Sequence, residues 1–113
     1  MLPKPHRMKP NDISLVFQNG KFISYHGLNM RYVKKNLSAP RLAIRVPLST
    51  SKKAVVRNRI KRLLRESIRI LIDRLKGADI VIVVKKDISK SKQRDVQKII
   101  IKLFEKAGIF KKL

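Results

Sequence analysis

The sequence predicts a single α+β domain in which helices pack on a mixed four-stranded sheet. Apolar and polar residues alternate over two segments, one run is continuously β-branched, and three segments repeat apolar residues at helical spacing. A chain of 113 residues that is 43% hydrophobic is long enough for one core and is not disordered by composition. We find no internal repeat or linker. We therefore predict one domain over residues 1–113, an α-β-β-β-α-β-α sandwich.

The N-terminal quarter of the chain predicts an arm, a short helix and a strand. Residues 1–10 contain three prolines and three lysines or arginines, which favours a flexible basic arm. Asn11 or Asp12 can cap a helix with apolar residues at helical spacing, and Asn19-Gly20 is expected to end it. Residues 21–25 then fit a first strand.

Two alternating segments predict the next two strands. A turn at His26-Gly27 leads into residues 28–33, where every second residue is apolar. Residues 36–40 are a turn-forming cluster, and alternation resumes over residues 41–46. Pro47 is expected to close this third strand because it has no N–H for a sheet ladder.

The second half of the chain predicts helix, strand and helix. A long basic helix is expected to start at one of the hydroxyl residues 49–51 or just after them, and to end with Gly77 as its cap. The β-branched run over residues 79–84 is typical of a strand covered on both faces. Ser89 or Ser91 is expected to begin the last helix.

Charge is the dominant feature of the composition. The chain has 29 Lys+Arg against 7 Asp+Glu, a formal net charge of +22. Between Asp12 and Glu66 there are thirteen lysines or arginines and no acidic residue. Such an excess implies self-repulsion in the free protein and a polyanionic partner that neutralises it.

Several function classes are disfavoured by the same sequence. The absence of cysteine excludes disulfides and thiolate metal sites. His6 and His26 have no carboxylate or hydroxyl partner at a recognisable spacing, and Asp79 and Asp87 are expected at strand and turn ends. We therefore predict no catalytic and no metal-ligating residue. The longest apolar run is too short to span a membrane and no signal-peptide pattern is seen, so we expect a cytoplasmic protein without a membrane partner.

Residues 57–65, Arg-Asn-Arg-Ile-Lys-Arg-Leu-Leu-Arg, are the most informative segment. Their apolar residues recur every three or four positions, so one side of the helix can enter a core. The neighbouring arc carries side chains spaced by one helical turn, an arrangement suited to regularly placed phosphates. This basic arc comprises Asn58, Lys61, Arg62, Arg65 and Arg69, with Arg57 at its edge.

Aromatic residues can stack on bases, which is how single strands are often held. On the residues alone, Phe17 and Tyr32 fit either a core or a binding surface, whereas Phe104 is expected in the core. Lys85 and Lys86 follow the buried strand and are either a solvated strand end or the edge of a ligand crevice.

The segment of residues 57–66 resembles the RNR signature of the bacterial ribonuclease P protein family. Residues 54–56 and the strand of residues 79–86, ending in Lys-Lys, are also similar to that family. Residues 16–21 match its early "VF..G" segment. The resemblance covers most of the chain in the same order.

This resemblance implies an RNA-dependent role. In the family a large RNA subunit removes the 5′ leader of precursor tRNA by hydrolysing a phosphodiester with bound Mg²⁺, held mainly by RNA and substrate. The protein holds the leader in a cleft between its first helix and the sheet, and no protein partner is implied. The expected contacts to the catalytic RNA are Arg57, Asn58, Arg59, Lys61, Arg62, Arg65 and Arg69, and those to the leader are Phe17, Tyr32, Arg45, Lys52, Lys53, Lys85 and Lys86.

The resemblance also implies a left-handed crossover between the two parallel strands, whereas the general rule for such units favours the right-handed one. The alternative function is a structural RNA-binding protein such as a ribosomal protein. A duplex-DNA binder is disfavoured because the basic helix has a buried face and lacks a helix-turn-helix partner.

Three departures from the family pattern concern the leader cleft. Residues 47–49 replace a Ser-Lys-Lys run, for which Lys52 and Lys53 are candidate substitutes. Ile13 replaces an aromatic residue of the first helix. Arg31 occupies the place of a strand aromatic, and Tyr32 follows it. Because an offset of one residue changes the face of the sheet, Tyr32 fits the core as well as the cleft.

Overall fold

The computed structural model describes residues 8–36 and 39–111, and in these ranges three α-helices pack on a four-stranded sheet. The predicted order α-β-β-β-α-β-α is confirmed. The elements are α1 (Pro10–Asn19), β1 (Lys21–Tyr25), β2 (Leu28–Lys34), β3 (Arg41–Arg45), α2 (Ala54–Leu71), β4 (Ala78–Val84) and α3 (Gln93–Ala107).

The sheet is mixed, as predicted, with strand order β1-β2-β4-β3. β2 is antiparallel to both β1 and β4, and β3 is parallel to β4. β4 lies inside the sheet, and six of its seven residues are buried. This burial explains its continuous β-branched run. α2 makes the connection between the parallel strands β3 and β4, and the hand of that crossover stays a prediction from the resemblance.

The two faces of the sheet have different roles. The larger core lies on the face that bears Met30 and Ile82, against α2 and α3. α1 contacts β2 and β4 and buries Val16. The polar face, which includes Arg31, is therefore only partly covered. The helix residues in the larger core are Ile60, Leu64, Ile68 and Leu71 of α2 with Val96, Ile100, Leu103, Phe104 and Ala107 of α3.

α1 begins earlier than predicted. Its first residue is Pro10 and its N-cap is Lys9, so the expected caps Asn11 and Asp12 are wrong. Proline suits the first helical position because its missing N–H has no intrahelical partner there. The Asp12 carboxylate accepts a hydrogen bond from the Lys9 backbone N–H at 3.3 Å, which satisfies a donor at the helix start.

α2 starts at Ala54 after Lys53, within the predicted range, but ends at Leu71. A short 3-10 turn follows, and Leu75 then adopts an extended conformation, is fully buried and bridges to Phe110. That bridge requires the helix to stop. The prediction of Gly77 as a helix cap is therefore wrong.

α3 begins at Gln93, so Ser89 and Ser91 are wrong as its first residues. The Ser89 N–H instead donates to the Asp87 carboxylate at 2.9 Å, which closes a turn. Gly108 ends α3 with φ 67°, a conformation that glycine adopts at little cost.

Residues 1–7 of the predicted arm and residues 37–38 of the predicted turn lie outside the described residues. In the ranges that are described, no helix is both long and apolar enough to cross a membrane.

Candidate nucleic-acid interface

The outer side of α2 carries the predicted basic arc. Ile60, Leu64 and Ile68 are fully buried on the inner side, as the periodicity predicted. Asn58, Arg59, Arg62 and Arg69 are exposed on the outer side, and Arg69 donates to Glu66 at 2.7 Å.

The remaining cations of the arc are half-buried along one edge of α2; they are Arg57, Lys61 and Arg65. Arg57 donates from Nη1 to the Ser51 carbonyl at 2.9 Å, so its side chain also holds the loop before the helix. Lys61 lines a groove on the polar face of the sheet. The resemblance assigns Arg57 and Lys61 to the catalytic RNA. In the structure Lys61 also lies beside the groove.

This groove has a volume of about 790 Å³ and is bounded by α1, the polar face of the sheet and the N-terminal part of α2. Residues that lie directly opposite each other on paired strands share a face of the sheet, and β1, β2, β3 and β4 all contribute lining residues to the groove. Among the described lining residues there is no carboxylate. Its aromatic and cationic lining residues are Phe17, Phe22, Arg31, Arg45, Lys61 and Lys85.

Two exposed rings flank an arginine inside the groove. Arg31 Cζ lies 5.6 Å from the centroid of Phe17 and 5.0 Å from that of Phe22. Both distances are within the range of a cation–π contact. Phe22 pairs directly with Arg31 across the β1-β2 ladder, which places their side chains on the same face.

Phe22 was missed by the sequence analysis, although a signal for it existed. A two-residue turn at His26-Gly27 fixes the register of the hairpin and so pairs residue 22 with residue 31. That register places the ring of Phe22 beside Arg31, the position where the family has a strand aromatic.

The predicted leader residues fall into three groups. Phe17, Arg45 and Lys85 line the groove. Tyr32 does not: it is 7% exposed and lies in the larger core on the opposite face, so its assignment to the leader surface is wrong. The one-residue offset from Arg31 is the physical reason. Lys52, Lys53 and Lys86 are exposed but are not among the described lining residues of the groove.

An ion-pair network fixes α1 over the sheet. Arg41 of β3 donates from Nε and Nη2 to the two carboxylate oxygens of Asp79, each at 2.8 Å. Its Nη1 reaches the Asp12 carboxylate of α1 at 3.2 Å, and Lys35 Nζ lies 2.9 Å from Asp79. The network thereby connects the helix that bears Phe17 to both parallel strands.

Asp79 is fully buried, yet it stays ionised. Burial by itself raises the pKa of a carboxyl group, but the hydrogen bonds from Arg41 and Lys35 outweigh this effect and hold the pKa of Asp79 below its ordinary value. The same contact with Asp79 raises the pKa of Arg41. Asp79 therefore has a structural role, as the sequence predicted for a strand end.

The described residues contain no group of three or more histidine, cysteine, aspartate or glutamate side chains placed to hold a metal. His26 lies in the β1-β2 turn with φ 47° and contacts the Tyr25 ring edge-on at 4.3 Å. His6 lies outside the described residues. The cations and aromatic rings that line the groove can bind anions and stack on bases.

Comparison with known proteins agrees with this geometry. Residues 2–108 match the sequence model of the family described as Ribonuclease P. A ribonuclease P protein component of Bacillus cereus (strain 03BB102) is 40% identical over 114 residues, covering 96% of each chain. The solved structure of the RNase P protein from Thermotoga maritima is similar with a TM-score of 0.78 at 27% identity, covering 88% of this chain and 96% of that one.

A second solved structure, the RNase P protein from Staphylococcus aureus, shares the fold with a TM-score of 0.81 at 23% identity, covering 100% of this chain and 97% of that one. Sequence and fold therefore agree over nearly the whole length. The chain belongs to the ribonuclease P protein family, the protein component of an endoribonuclease involved in tRNA processing.

Proposed function

We propose that this chain binds the catalytic RNA subunit through the outer side of α2 and the 5′ leader of precursor tRNA in the groove. The observation that carries the proposal is the composition of the groove. Two exposed rings and four cations converge there, and no carboxylate is among its described lining residues. The cationic outer side of α2 adjoins the groove through Lys61.

The groove suits a single strand of variable sequence. Lysine and arginine contact phosphates irrespective of the base, and exposed rings stack on any base. Phe17 is 41% and Phe22 is 51% exposed, so both rings have surface left for a ligand. A leader can therefore be held without base-edge readout.

We assign the chemical step to the RNA subunit. Four of the carboxylates that the structure describes are engaged by neighbouring residues: Asp79 and Asp12 pair with Arg41, Asp87 closes a turn, and Glu66 pairs with Arg69. Among the described residues no three carboxylate or histidine side chains lie together as an oxygen-rich Mg²⁺ site would require. We propose that Mg²⁺ is held mainly by the RNA subunit and the substrate, and that this chain positions the substrate.

The test is reconstitution of the holoenzyme. Purified protein added to the matching catalytic RNA at low Mg²⁺ is expected to stimulate removal of the 5′ leader, because added cations and leader contacts replace screening by the metal. Precursor tRNA should bind more tightly than mature tRNA. Absence of stimulation, together with co-sedimentation with ribosomes, would favour the structural RNA-binding alternative.

A further inference from the structure

We propose that Arg31 is a leader-binding residue of the groove: it contacts a phosphate of the leader through the edge of its guanidinium group and so helps to distinguish precursor from mature tRNA. This inference rests on the function proposed above and adds to it the chemical group that the groove recognises. It concerns a position where this chain has a cation in place of the family's strand aromatic.

The first step is the environment of the guanidinium group. Rings from two different elements, Phe17 of α1 and Phe22 of β1, lie over the Arg31 Cζ at 5.6 and 5.0 Å. Both rings therefore hold the guanidinium group by cation–π contacts, which use none of its hydrogen-bond donors. The N–H donors lie in the plane of the group and point outward from its edge, where a ligand can accept from them.

The second step is the absence of an internal partner. Within residues 8–36 and 39–111, the side chain of Arg31 makes no hydrogen bond and no ion pair, whereas that of Arg41 on the same face is bound to Asp79 and Asp12. Arg31 is half-buried, and its side chain is oriented by the two rings. An oriented arginine without an acid is suited to bidentate contact with an external anion.

The third step identifies the anion. The groove that holds Arg31 also contains Arg45, Lys61 and Lys85, so its ligand carries several negative charges along its length. The rings Phe17 and Phe22 retain exposed surface beside these cations. A single-stranded phosphodiester with unpaired bases satisfies both features.

The experiment measures the affinity of the reconstituted holoenzyme for precursor tRNA and for mature tRNA over a range of salt concentrations. One phosphate contact to a single strand contributes a slope of about 0.7 in log K against log salt, or about fivefold in affinity near 0.1 M. Arg31→Gln should therefore lose about fivefold for precursor tRNA and about 0.7 of the slope, with binding of mature tRNA unchanged. Arg31→Lys should retain most of the slope.

The matched control is Lys102→Gln, which removes one charge from the exposed side of α3 away from the groove. It should leave both affinities and the salt slope unchanged. Thermal unfolding of each variant separates loss of a ligand contact from loss of folded protein.

Chemically altered leaders separate a phosphate contact from a base contact. Uncharged methylphosphonate linkages, introduced one at a time, should weaken binding by the wild-type protein at one position and have no further effect there on Arg31→Gln. The inference is wrong if an abasic nucleotide, rather than a methylphosphonate, loses its effect on binding in Arg31→Gln. It is also wrong if every methylphosphonate weakens binding equally in the wild-type protein and in Arg31→Gln. If the wild-type protein does not distinguish precursor from mature tRNA at all, the proposed function itself fails.

Discussion

At the scale of single residues, the buried carboxylate of Asp79 stabilises the groove although it is not among the described lining residues of the groove. It is fully buried, and each of its oxygens accepts a hydrogen bond from Arg41 at 2.8 Å. Arg41 also contacts Asp12 at 3.2 Å and so connects the sheet to α1. Together with the buried Val16, this chain of contacts holds the helix that bears Phe17 against the sheet.

Replacing Asp79 with asparagine should destabilise the protein at neutral pH. The substitution keeps the shape but leaves Arg41 and Lys35 without their buried counter-charge, for which a loss of about 3 kcal/mol is expected. Unfolding by urea at pH 7, followed by circular dichroism, measures this difference in the free energy of unfolding.

The same comparison has a defined pH dependence. Because the folded pKa of Asp79 is lowered, its contribution to stability is fully present above about pH 4, the ordinary pKa of an unfolded aspartate. It is lost as the pH falls through the lowered folded value. The wild-type protein and Asp79→Asn should therefore converge in stability at acid pH, and a difference that persists there would contradict the ion-pair explanation.

At the scale of elements, α2 shows what periodicity can and cannot predict. The buried residues Ile60, Leu64 and Ile68 follow directly from the spacing of apolar residues. The end of the helix does not, because it is set by the bridge between Leu75 and Phe110, a contact between distant parts of the chain. Gly77 directly after Lys76 was a reasonable local signal for the end of a helix. The long-range contact between Leu75 and Phe110 ends the helix earlier.

The β1-β2 hairpin gives the complementary result. The two-residue turn and the alternation were both visible in the sequence, and together they fix which residues share the groove face. Tyr32 was assigned to the leader surface on family likeness, and its burial shows that the parity of the strand was the stronger indication. The register set by the turn identifies Phe22 and Arg31 as neighbours, because it pairs them directly across the hairpin.

Two arginines on the outer side of α2 allow a test of the basic arc. The side chain of Arg62 is exposed and has no hydrogen bond or ion pair among the described residues, whereas that of Arg69 lies 2.7 Å from Glu66. Arg62→Ala should weaken binding to the catalytic RNA and lower the salt slope by about 0.9, the value for one contact to a duplex. Arg69→Ala should have a smaller effect, because Glu66 already neutralises part of its charge.

Filter binding of the catalytic RNA at several salt concentrations measures both variants side by side. Discrimination between precursor and mature tRNA should be unchanged in each, since neither arginine lines the groove. Equal losses for Arg62→Ala and Arg69→Ala would show that the pair with Glu66 does not persist in the complex.

At the scale of the whole molecule, element order and charge were predictable from the sequence, but the relation between distant elements was not. Each helix and strand has a local pattern of its own, which is why α-β-β-β-α-β-α was predicted in full. The network of Asp12, Arg41 and Asp79 joins three segments that are far apart along the chain. No local pattern reveals that these charges meet, and the groove between α1 and the sheet depends on their meeting.

The net charge predicts opposite effects of salt on folding and on RNA binding. The molecule measures 37 × 30 × 25 Å and carries a formal charge of +22. Screening extends over about 30 Å at about 0.01 M salt and over about 10 Å at about 0.1 M, so repulsion acts across the whole molecule only at the lower concentration. The midpoint of thermal unfolding of the free protein should therefore rise with sodium chloride, and about 1 kcal/mol of relieved repulsion corresponds to about 4–8 °C in a domain of roughly this size. Affinity for RNA should fall over the same range because counterions compete for the phosphates.

A variant with less charge provides the control for this prediction. Lys98 and Lys102 are exposed on α3 and have no ion-pair partner among the described residues. Changing both to glutamate alters the formal charge by two units each, from +22 to +18. This variant should unfold at a higher temperature than the wild-type protein at low salt and should gain less from added salt, since it has less repulsion to screen. If the wild-type midpoint stays constant or falls as salt is added, the ion pairs around Asp79 outweigh the repulsion among the excess cations. The net charge would then not destabilise the folded chain.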